Sequence, residues 1–449
     1  MHLLLFKQFL QLRVVKMASI LILAMSLLSF ALGEQFITEK KEATQAVSAL
    51  QESLLEDHLS AQYDMGLMLY YLKFAVIKQI HPLNGFSFGQ SDILSQIKHI
   101  TIRGLENQIY NVNLSNPLHL HTGSLDFGFV LIYLFPLLII AFCYQVFSKE
   151  QETGIWLLIK VQNITPLRYI SMQLAVRLLW TLLLFLCMFW LGIWWLKVPL
   201  DGNTWNFLAI SILYLIFWFS LCFLVIGAKR SSNFTIGSLL SLWLIMVVLL
   251  PAVINNWVTQ KYPIEESFTG MIKQRDSYHT KWDSNKRETV QKFYEHYPQF
   301  ESYGFPPEEG FNWLWYYAMQ QMGDDETLVE QKAIRQKINQ RHLRSKKIAQ
   351  WVPPLFTQMK FNDFAQSGLQ SQLEFQDQTA ALHEKLRLFY YPKIFDNSSV
   401  EDEDWENAQP VFLQATADKP LHLGQYAPLL IAIIICFGLG RIALRTKES

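Results

Sequence analysis

Few side chains in this sequence are spaced as catalytic or metal-binding groups usually are. His119 and His121 supply two imidazoles within the tripeptide HLH, but a metal site requires further ligands, so the pair is an incomplete candidate site. The segment HEKLR at His383 lacks the second histidine of the zinc-protease spacing, and we interpret it as part of a helix surface. A G-x-x-x-x-G-K-S/T loop, which cradles nucleotide phosphates, is also missing from the sequence. The sequence therefore predicts no catalytic residue, no metal or cofactor held by this chain, and no enzymatic activity of its own.

Another kind of functional site is indicated by the segment Ser148–Ile170, SKEQETGIWLLIKVQNITPLRYI, which lies between two long apolar runs. A segment of this kind, folded as an amphipathic helix, can place apolar side chains in a groove of a partner protein while its carboxylates meet basic side chains at the rim. The residues predicted to couple the segment to a partner are Glu150, Glu152, Gly154, Ile155 and Trp156.

The apolar anchors of such a helix are expected to be Ile155, Trp156 and either Leu158 or Ile159. A plainer interpretation stays open at this point. The two carboxylates are also favourable charges near the N-terminus of a surface helix, and a tryptophan also anchors a chain at the membrane interface. Under that interpretation the segment binds no partner.

The composition indicates what kind of protein positions this segment. Of the 449 residues, 51% are hydrophobic and 17% are charged, which is more apolar than an ordinary soluble chain. About 20 helical residues cross a hydrocarbon core of roughly 30 Å. Six predominantly apolar runs have about this length: Val15–Leu32, Leu125–Val146, Leu178–Leu196, Trp205–Ile226, Phe234–Ile254 and Tyr426–Leu444. The sequence predicts an all-α membrane protein with six transmembrane helices.

Basic residues beside these runs predict the orientation, because short basic flanks stay on the cytoplasmic side. They flank the first span, the connections between spans two and three and between spans four and five, and the end of the chain: Lys7, Arg13, Lys16, Lys149, Lys160, Arg168, Lys229, Arg230, Arg441, Arg445 and Lys447. Both termini are therefore expected in the cytoplasm. Arg177, at the inner end of span three, is expected to snorkel towards water.

The first 33 residues are expected to form an amphipathic helix at the membrane surface followed by the first span. The alternative is a cleaved signal peptide, since the apolar region ends with the small residues Ala31 and Gly33. Cleavage would leave the rest of the topology unchanged.

Two long segments remain for the extracytoplasmic side, and both are predicted to be mainly helical insertions, one between helices 1 and 2 and one between helices 5 and 6. In the first, a helical pattern runs from Glu39 to Ile77; neither insertion shows the alternation typical of strands. Helices in the second are predicted near Phe268–His296, Glu309–Gln321, Glu326–Trp351 and Asn362–Phe389. The predicted domains are 1–33, 34–122, 123–254 with a cytoplasmic helix in 148–170, 255–423, and 424–449.

Several other features receive structural interpretations. The basic run QKAIRQKINQRHLRSKK, residues 331–347, is expected to be a solvated helix face answered by the acidic run Val400–Glu406, and contact with an anionic headgroup or substrate is the alternative. The aromatic cluster Phe311–Tyr317 is expected to be domain core or a membrane-facing patch. Pro136 and Pro251 are expected kink sites in spans two and five.

The segment at Glu150 resembles the membrane subunits of type-2 ABC exporters. In that family an E-x-E-x-G-T pattern, an apolar turn and a proline break form a short cytoplasmic helix that docks on the ATPase subunit; this chain has Glu150, Glu152 and Gly154 at the matching positions and Ile155 in place of the threonine. The wider sequence resembles a subgroup with two large extracytoplasmic insertions that form a domain of unknown function. The segments that carry this wider resemblance are FSFGQSDI in the first insertion, Asn116–Phe142 and Leu386–Phe412.

The resemblance implies a permease subunit that forms the substrate pathway of an exporter in the bacterial inner membrane. It implies a dimer, either of this chain or with a sister permease, bound to two ABC ATPase subunits that hold Mg-ATP, together with membrane lipids and no nucleic acid. The competing interpretation is a non-transporting receptor or scaffold with a large extracytoplasmic binding domain. A membrane enzyme ranks third, because no nucleophile, base and orienting group cluster at recognisable spacing. The identity of the substrate is not predicted.

Overall fold

The computed structural model describes residues 2–105, 108, 125–161, 165–264, 282, 285–401, 405–414 and 422–445. Most of these residues are helical, and six helices are long and apolar enough to cross a membrane. We call them spans one to six: Arg13–Ser60, Phe127–Glu152, Pro166–Leu196, Gly202–Gly227, Ser232–Lys261 and Gly424–Arg445. The prediction of six membrane-spanning helices is confirmed at the level of length and apolarity.

The remaining helices and strands precede, connect or follow the spans. The longer helices outside them are α1 (His2–Gln11), α2 (Met65–Tyr71), α3 (Ile155–Val161), α4 (Lys286–His296), α5 (Trp313–Ala349), α6 (Pro353–Phe364) and α7 (Leu369–Phe395). The strands are β1 (Phe74–Lys78), β2 (Ile97–Ile100) and β3 (Val411–Leu413). We use the name head for α2, α4 to α7 and the three strands.

Span four lies at the centre of the bundle. Its most apolar window is 67% buried, whereas the corresponding window of span five is only 11% buried. Span four packs closely against span six where two glycines meet: a Cβ atom on Gly227 would lie 2.9 Å from the carbonyl oxygen of Gly440. The absence of side chains at this crossing lets the two backbones approach, as is common between membrane helices.

Span one continues far beyond its apolar part as one helix of 48 residues, about 70 Å long. The predicted first span and the helical pattern after it are therefore a single element. This helix passes very close to the connection between β1 and β2, since a Cβ atom on Gly33 would lie 2.5 Å from the carbonyl oxygen of Gly85. The preceding helix α1 packs on the bundle through Phe9, which meets Phe142 edge to face at 5.2 Å.

The two predicted kink sites coincide with local π-helix. Span two contains a π-helical turn, Val130–Leu134, just before Pro136, and span five contains Ile245–Leu249 just before Pro251. Proline has no backbone N–H to donate to the carbonyl four residues earlier. In span two that carbonyl belongs to Ile132, and the hydroxyl of Tyr214 on span four donates to it at 2.9 Å.

The head contains a three-stranded sheet, whereas the sequence predicted only helices there. Strand β1 is central, antiparallel to β2 and parallel to β3. The helical pattern predicted through Ile77 is wrong at its end, because Asp64 caps the short helix α2 and the chain then enters β1. All five residues of β1 are buried, so the sequence FAVIK lacks the alternation that marks a half-exposed strand.

The predicted helices of the second insertion are present with different boundaries. Two of them, predicted on either side of residue 323, form the single helix α5, and the last predicted helix is divided into α6 and α7 around Gln366, whose φ is +56°. The helix predicted from Phe268 is described only from Lys286 onwards. The aromatic cluster at the start of α5 is confirmed as domain core, since Leu314, Trp315, Tyr316 and Tyr317 are buried, whereas Phe311 is exposed.

Helix α5 also attaches the head to span five. Arg341 donates to the backbone oxygens of Thr259 and Tyr262, and Lys337 donates to that of Pro263. Cations beside the last carbonyls of a helix satisfy acceptors that have no partner within it. The expected partner of the basic run, the acidic run at 400–406, lies partly outside the described residues. In the described residues the run contacts the end of span five, and Arg335 and Lys346 pair with the carboxylates of Asp377 and Asp363.

Candidate functional site

The segment between spans two and three folds as a turn of helix, a glycine corner and a second short helix. Span two ends with Ser148–Glu152, and α3 begins three residues later. Gly154 lies between them with φ of +76°, a conformation that favours glycine, and no atom lies within 4 Å of the position of a Cβ. The corner therefore redirects the chain, and α3 leaves the axis of span two.

Helix α3 presents an apolar surface to its surroundings. The exposed fractions are 44% for Ile155, 69% for Leu157, 67% for Leu158 and 86% for Val161. These side chains follow the end of span two and precede span three, so they lie outside the six candidate membrane spans. Contiguous exposed apolar side chains of this kind mark a contact surface.

Trp156 has a different role from the one expected of an anchor. Its ring meets that of Phe147 at 4.9 Å and that of Tyr169 at 5.9 Å, both edge to face. It packs partly buried against the core of the bundle. Trp156 therefore holds α3 against spans two and three, and the side chains of its neighbours Leu157 and Leu158 are exposed.

Glu152 is bonded within the chain. One carboxylate oxygen accepts the backbone N–H of Ser232 at 2.7 Å, and the other accepts its hydroxyl at 3.0 Å. The hydroxyl groups of Ser148 and Ser232 also lie 2.8 Å apart. Ser232 is the first residue of span five, where backbone N–H groups have no acceptor within the helix, and a carboxylate is favoured there by the helix dipole. Glu152 thus joins the corner of the segment to the start of span five.

Glu150 lies beside a cavity, away from Ser232. It lines a cavity of about 320 Å³ between α1 and spans one, two and three, together with Lys149, Tyr169 and Arg177. The two carboxylates, which are close in the sequence, therefore lie in different places. Glu152 accepts hydrogen bonds from the first residue of span five, and Glu150 faces the cavity.

The segment can be recognised from the sequence, but not all of its contacts can. Leu157, Val161 and Ser232 were missed as parts of the site, although five apolar residues in a row on a short helix indicate that some must face outwards. The incomplete metal pair, His119 and His121, lies outside the described residues. Among the residues that the structure describes, no group of three His, Cys, Asp or Glu side chains is arranged to hold a metal ion.

A buried polar cluster in the head corrects the interpretation of His383 as helix surface. His383 is 1% exposed, and its Nε2 lies 2.8 Å from the backbone oxygen of Arg103. Burial, followed by the charge of Arg387, lowers the pKa of His383 well below its usual value. Arg387 donates to the backbone oxygens of Ile102 and Arg103 and to Asp324 at 2.8 Å. These bonds tie α7 to the strand region of the head, and we interpret the cluster as structural.

Comparison with known proteins gives one partial match. A family described as "Domain of unknown function (DUF3526)" matches residues 269–412, a stretch that includes α4 to α7 and most of β3. No curated protein and no solved structure matches the chain. The match thus concerns the head and does not include the segment at α3.

Proposed function

We propose that this chain is the permease subunit of a type-2 ABC exporter and that α3 docks on a separate ATPase subunit. The observation that carries the proposal is the apolar surface of α3, with Leu157 and Leu158 about two-thirds exposed on a helix outside the spans. The resemblance of Glu150, Glu152 and Gly154 to the family pattern supports it. The absence of a phosphate-binding loop from the sequence is consistent with ATP hydrolysis in a partner.

The attachments of α3 suit a coupling element. Trp156 packs α3 against span three through Tyr169, and Glu152 fixes the preceding corner to the start of span five. A partner that pulls or tilts α3 therefore acts on spans two, three and five together. Span five continues to Lys261, where α5 of the head holds its last carbonyls. Movement at α3 thus has a continuous physical path to the head.

The functional unit in this proposal contains two permease chains, either identical or sister subunits, and two ATPase subunits that bind Mg-ATP. Span five offers a surface for the second permease, because it is the least buried of the six spans. Its exposed side chains include Leu244, Val248 and Val253, so membrane lipids cover whatever part the second chain does not.

The proposal places both termini and α3 in the cytoplasm of a bacterial cell and the head outside the inner membrane. Support comes from the basic flanks of the spans in the sequence. A single cysteine introduced at exposed Asn233 should react with a membrane-impermeant reagent only after permeabilisation, and one at exposed Glu309 should react in intact cells. The reverse pattern would overturn the orientation.

The docking proposal is tested by replacing one outward residue of α3. The protein is purified in mild detergent from its native membranes, and ATPase subunits are identified by photolabelling with an azido-ATP. We expect Leu158→Asp to lose the labelled subunit and Mg-ATP hydrolysis, since an interfacial anchor is worth about 2 kcal/mol, roughly thirtyfold in affinity. Leu343→Asp, at a leucine 56% exposed on α5, is the matched control and should retain both.

Two results would contradict the proposal. If wild-type protein carries no ATP-labelled subunit, the chain is better described as a receptor or scaffold whose head binds a partner. If Leu158→Asp inserts normally and retains the labelled subunit and its hydrolysis, then α3 is not the docking helix.

A further inference from the structure

The cavity that Glu150 faces is lined by an unusual combination of groups. Its lining includes the charged or polar side chains Arg13, Lys149, Gln173 and Arg177, and also apolar side chains of α1 and of its junction with span one, including Leu5, Phe9 and Leu12. Three cations thus share a space of about 320 Å³ with one carboxylate, Glu150. The cavity has an excess of positive charge, and the part of its lining that α1 contributes is largely apolar.

Arg177 is the deepest of these cations. The apolar run of span three begins just after it, and the sequence suggested that its side chain would snorkel to water. In the structure its Nε donates to the backbone oxygen of Phe142 at 2.8 Å, and Nη1 donates to both oxygens of Gln173, at 2.9 and 2.6 Å. Its guanidinium also lies over the ring of Phe9, 5.0 Å from the centroid.

The fixed guanidinium lacks an acidic partner in the described part of the chain. All of its recorded bonds are to neutral oxygens, and no ion pair of Arg177 with an Asp or Glu occurs there. A charge inside a membrane-spanning helix is costly unless it is compensated. The single carboxylate of the cavity, Glu150, cannot balance three cations, so an arginine bonded only to neutral oxygens there indicates an anionic ligand. Arg13 and Lys149 are exposed at the same cavity and can reach the ligand from its open side.

We propose that this cavity binds the phosphodiester headgroup of an anionic phospholipid. The phosphate group would lie among Arg177, Arg13 and Lys149, and the acyl chains would run along the apolar side chains of α1. Basic pockets between membrane helices are the usual sites for such headgroups, and an apolar wall beside the cations distinguishes a lipid from a free anion. Lipid binding at this cavity requires neither transport nor a partner ATPase.

The wall formed by α1 adds a physical consequence. Helix α1 is joined to span one through Leu12, which has extended backbone angles, and it contacts the bundle beside the cavity through Phe9. A lipid bound here would hold α1, span one and span three together. The same lipid would lie beside Tyr169, against which Trp156 packs, so its headgroup would be close to the base of α3.

The test uses the full-length protein, delipidated in detergent, and measures thermal stability and lipid binding by native mass spectrometry. Titration with phosphatidylglycerol should raise the unfolding temperature and give a retained 1:1 lipid adduct, whereas phosphatidylcholine should give neither at the same concentrations. The double variant Arg13→Gln, Lys149→Gln should weaken phosphatidylglycerol binding about tenfold or more, because each cation near a headgroup contributes on the order of 1 kcal/mol. Lys16→Gln removes an exposed charge from the same stretch without touching the cavity and should bind as wild type does.

Other outcomes would overturn the assignment. Equal effects of phosphatidylglycerol and phosphatidylcholine would remove the headgroup preference. An equal loss in Lys16→Gln would indicate general surface charge. If glycerol phosphate or inorganic phosphate stabilises the protein as well as the lipid does, the site takes a soluble anion and not a phospholipid. Should the double variant fail to fold, Arg13→Gln alone, at an exposed position, provides the same comparison.

Discussion

Glu152 and Ser232 are joined by two hydrogen bonds although 80 residues separate them in the sequence. Glu152 is the last residue of span two, and Ser232 is the first residue of span five. The two bonds therefore join the loop between spans two and three to the loop between spans four and five, at the same end of the bundle. The carboxylate supplies an acceptor to a backbone N–H that the helix itself cannot satisfy. This relationship gives Glu152 a definite role whether or not a partner binds nearby.

Hydrogen exchange at the start of span five tests this role. In Glu152→Ala the N–H of Ser232 loses its acceptor, and we expect its exchange in detergent to accelerate about tenfold, with little change in the middle of the span. Glu150→Ala is the matched control, because Glu150 faces the cavity and not Ser232. Unchanged exchange in Glu152→Ala, or equal acceleration in the control, would show that the bonds do not persist in solution.

The bond from Tyr214 to Ile132 predicts an energetic coupling with Pro136. In Tyr214→Phe the oxygen of Ile132 loses its donor inside the membrane, and we expect a loss of about 1–2 kcal/mol in unfolding free energy. In a Pro136→Ala background the new backbone N–H can bond the same oxygen, so Tyr214→Phe should cost less than half as much. Equal costs in both backgrounds, measured by reversible unfolding in mixed micelles, would contradict this explanation.

The long apolar spans were predictable because each needs only length and hydrophobicity. The sequence could not show how far each helix continues beyond its apolar run. The helix of span one runs through Gly33 without a break, and nothing in the residue pattern marks its end at Ser60. The buried strand β1 was missed because a fully buried strand has the same apolar run as a buried helix. Its partner β3 lies more than 300 residues away, which local patterns cannot register.

Lys78 predicts a pH dependence of the stability of the head. Burial lowers its pKa to about 8, with Glu374 opposing the shift and Lys40 adding to it. The folded state binds this proton less tightly than the unfolded state, so stability should rise with pH between about 8 and 10.5. Lys78→Met should therefore stabilise the protein at pH 7, by about 1 kcal/mol or more, and its advantage should shrink at pH 9.5.

The measurement for Lys78 is thermal unfolding of the full chain in detergent at the two pH values. Lys41→Met removes an exposed lysine and should change the unfolding temperature little at either pH. A stabilisation by Lys78→Met that is the same at pH 7 and pH 9.5 would attribute the effect to packing and not to the charge.

The candidate site was only partly predictable for a related reason. The composition of Ser148–Ile170 indicated a partner-binding helix, but the direction of each side chain depends on Gly154 and on the rings that receive Trp156. A tryptophan is the natural choice of anchor from sequence, yet here the neighbouring rings of spans two and three bury part of it. Contacts between distant spans therefore decided which apolar residues face outwards.

Site-specific photo-cross-linking from α3 tests the central claim most directly. A photoreactive phenylalanine analogue is placed at Leu158, or at Leu343 as the control, and the protein is irradiated in native membranes. We predict that position 158 forms a covalent adduct with a subunit that contains a nucleotide-binding motif and hydrolyses ATP, and that position 343 does not. An absence of any such adduct from position 158 in active, fully inserted protein, or the same adduct from both positions, would contradict the assignment of α3 as the ATPase docking helix.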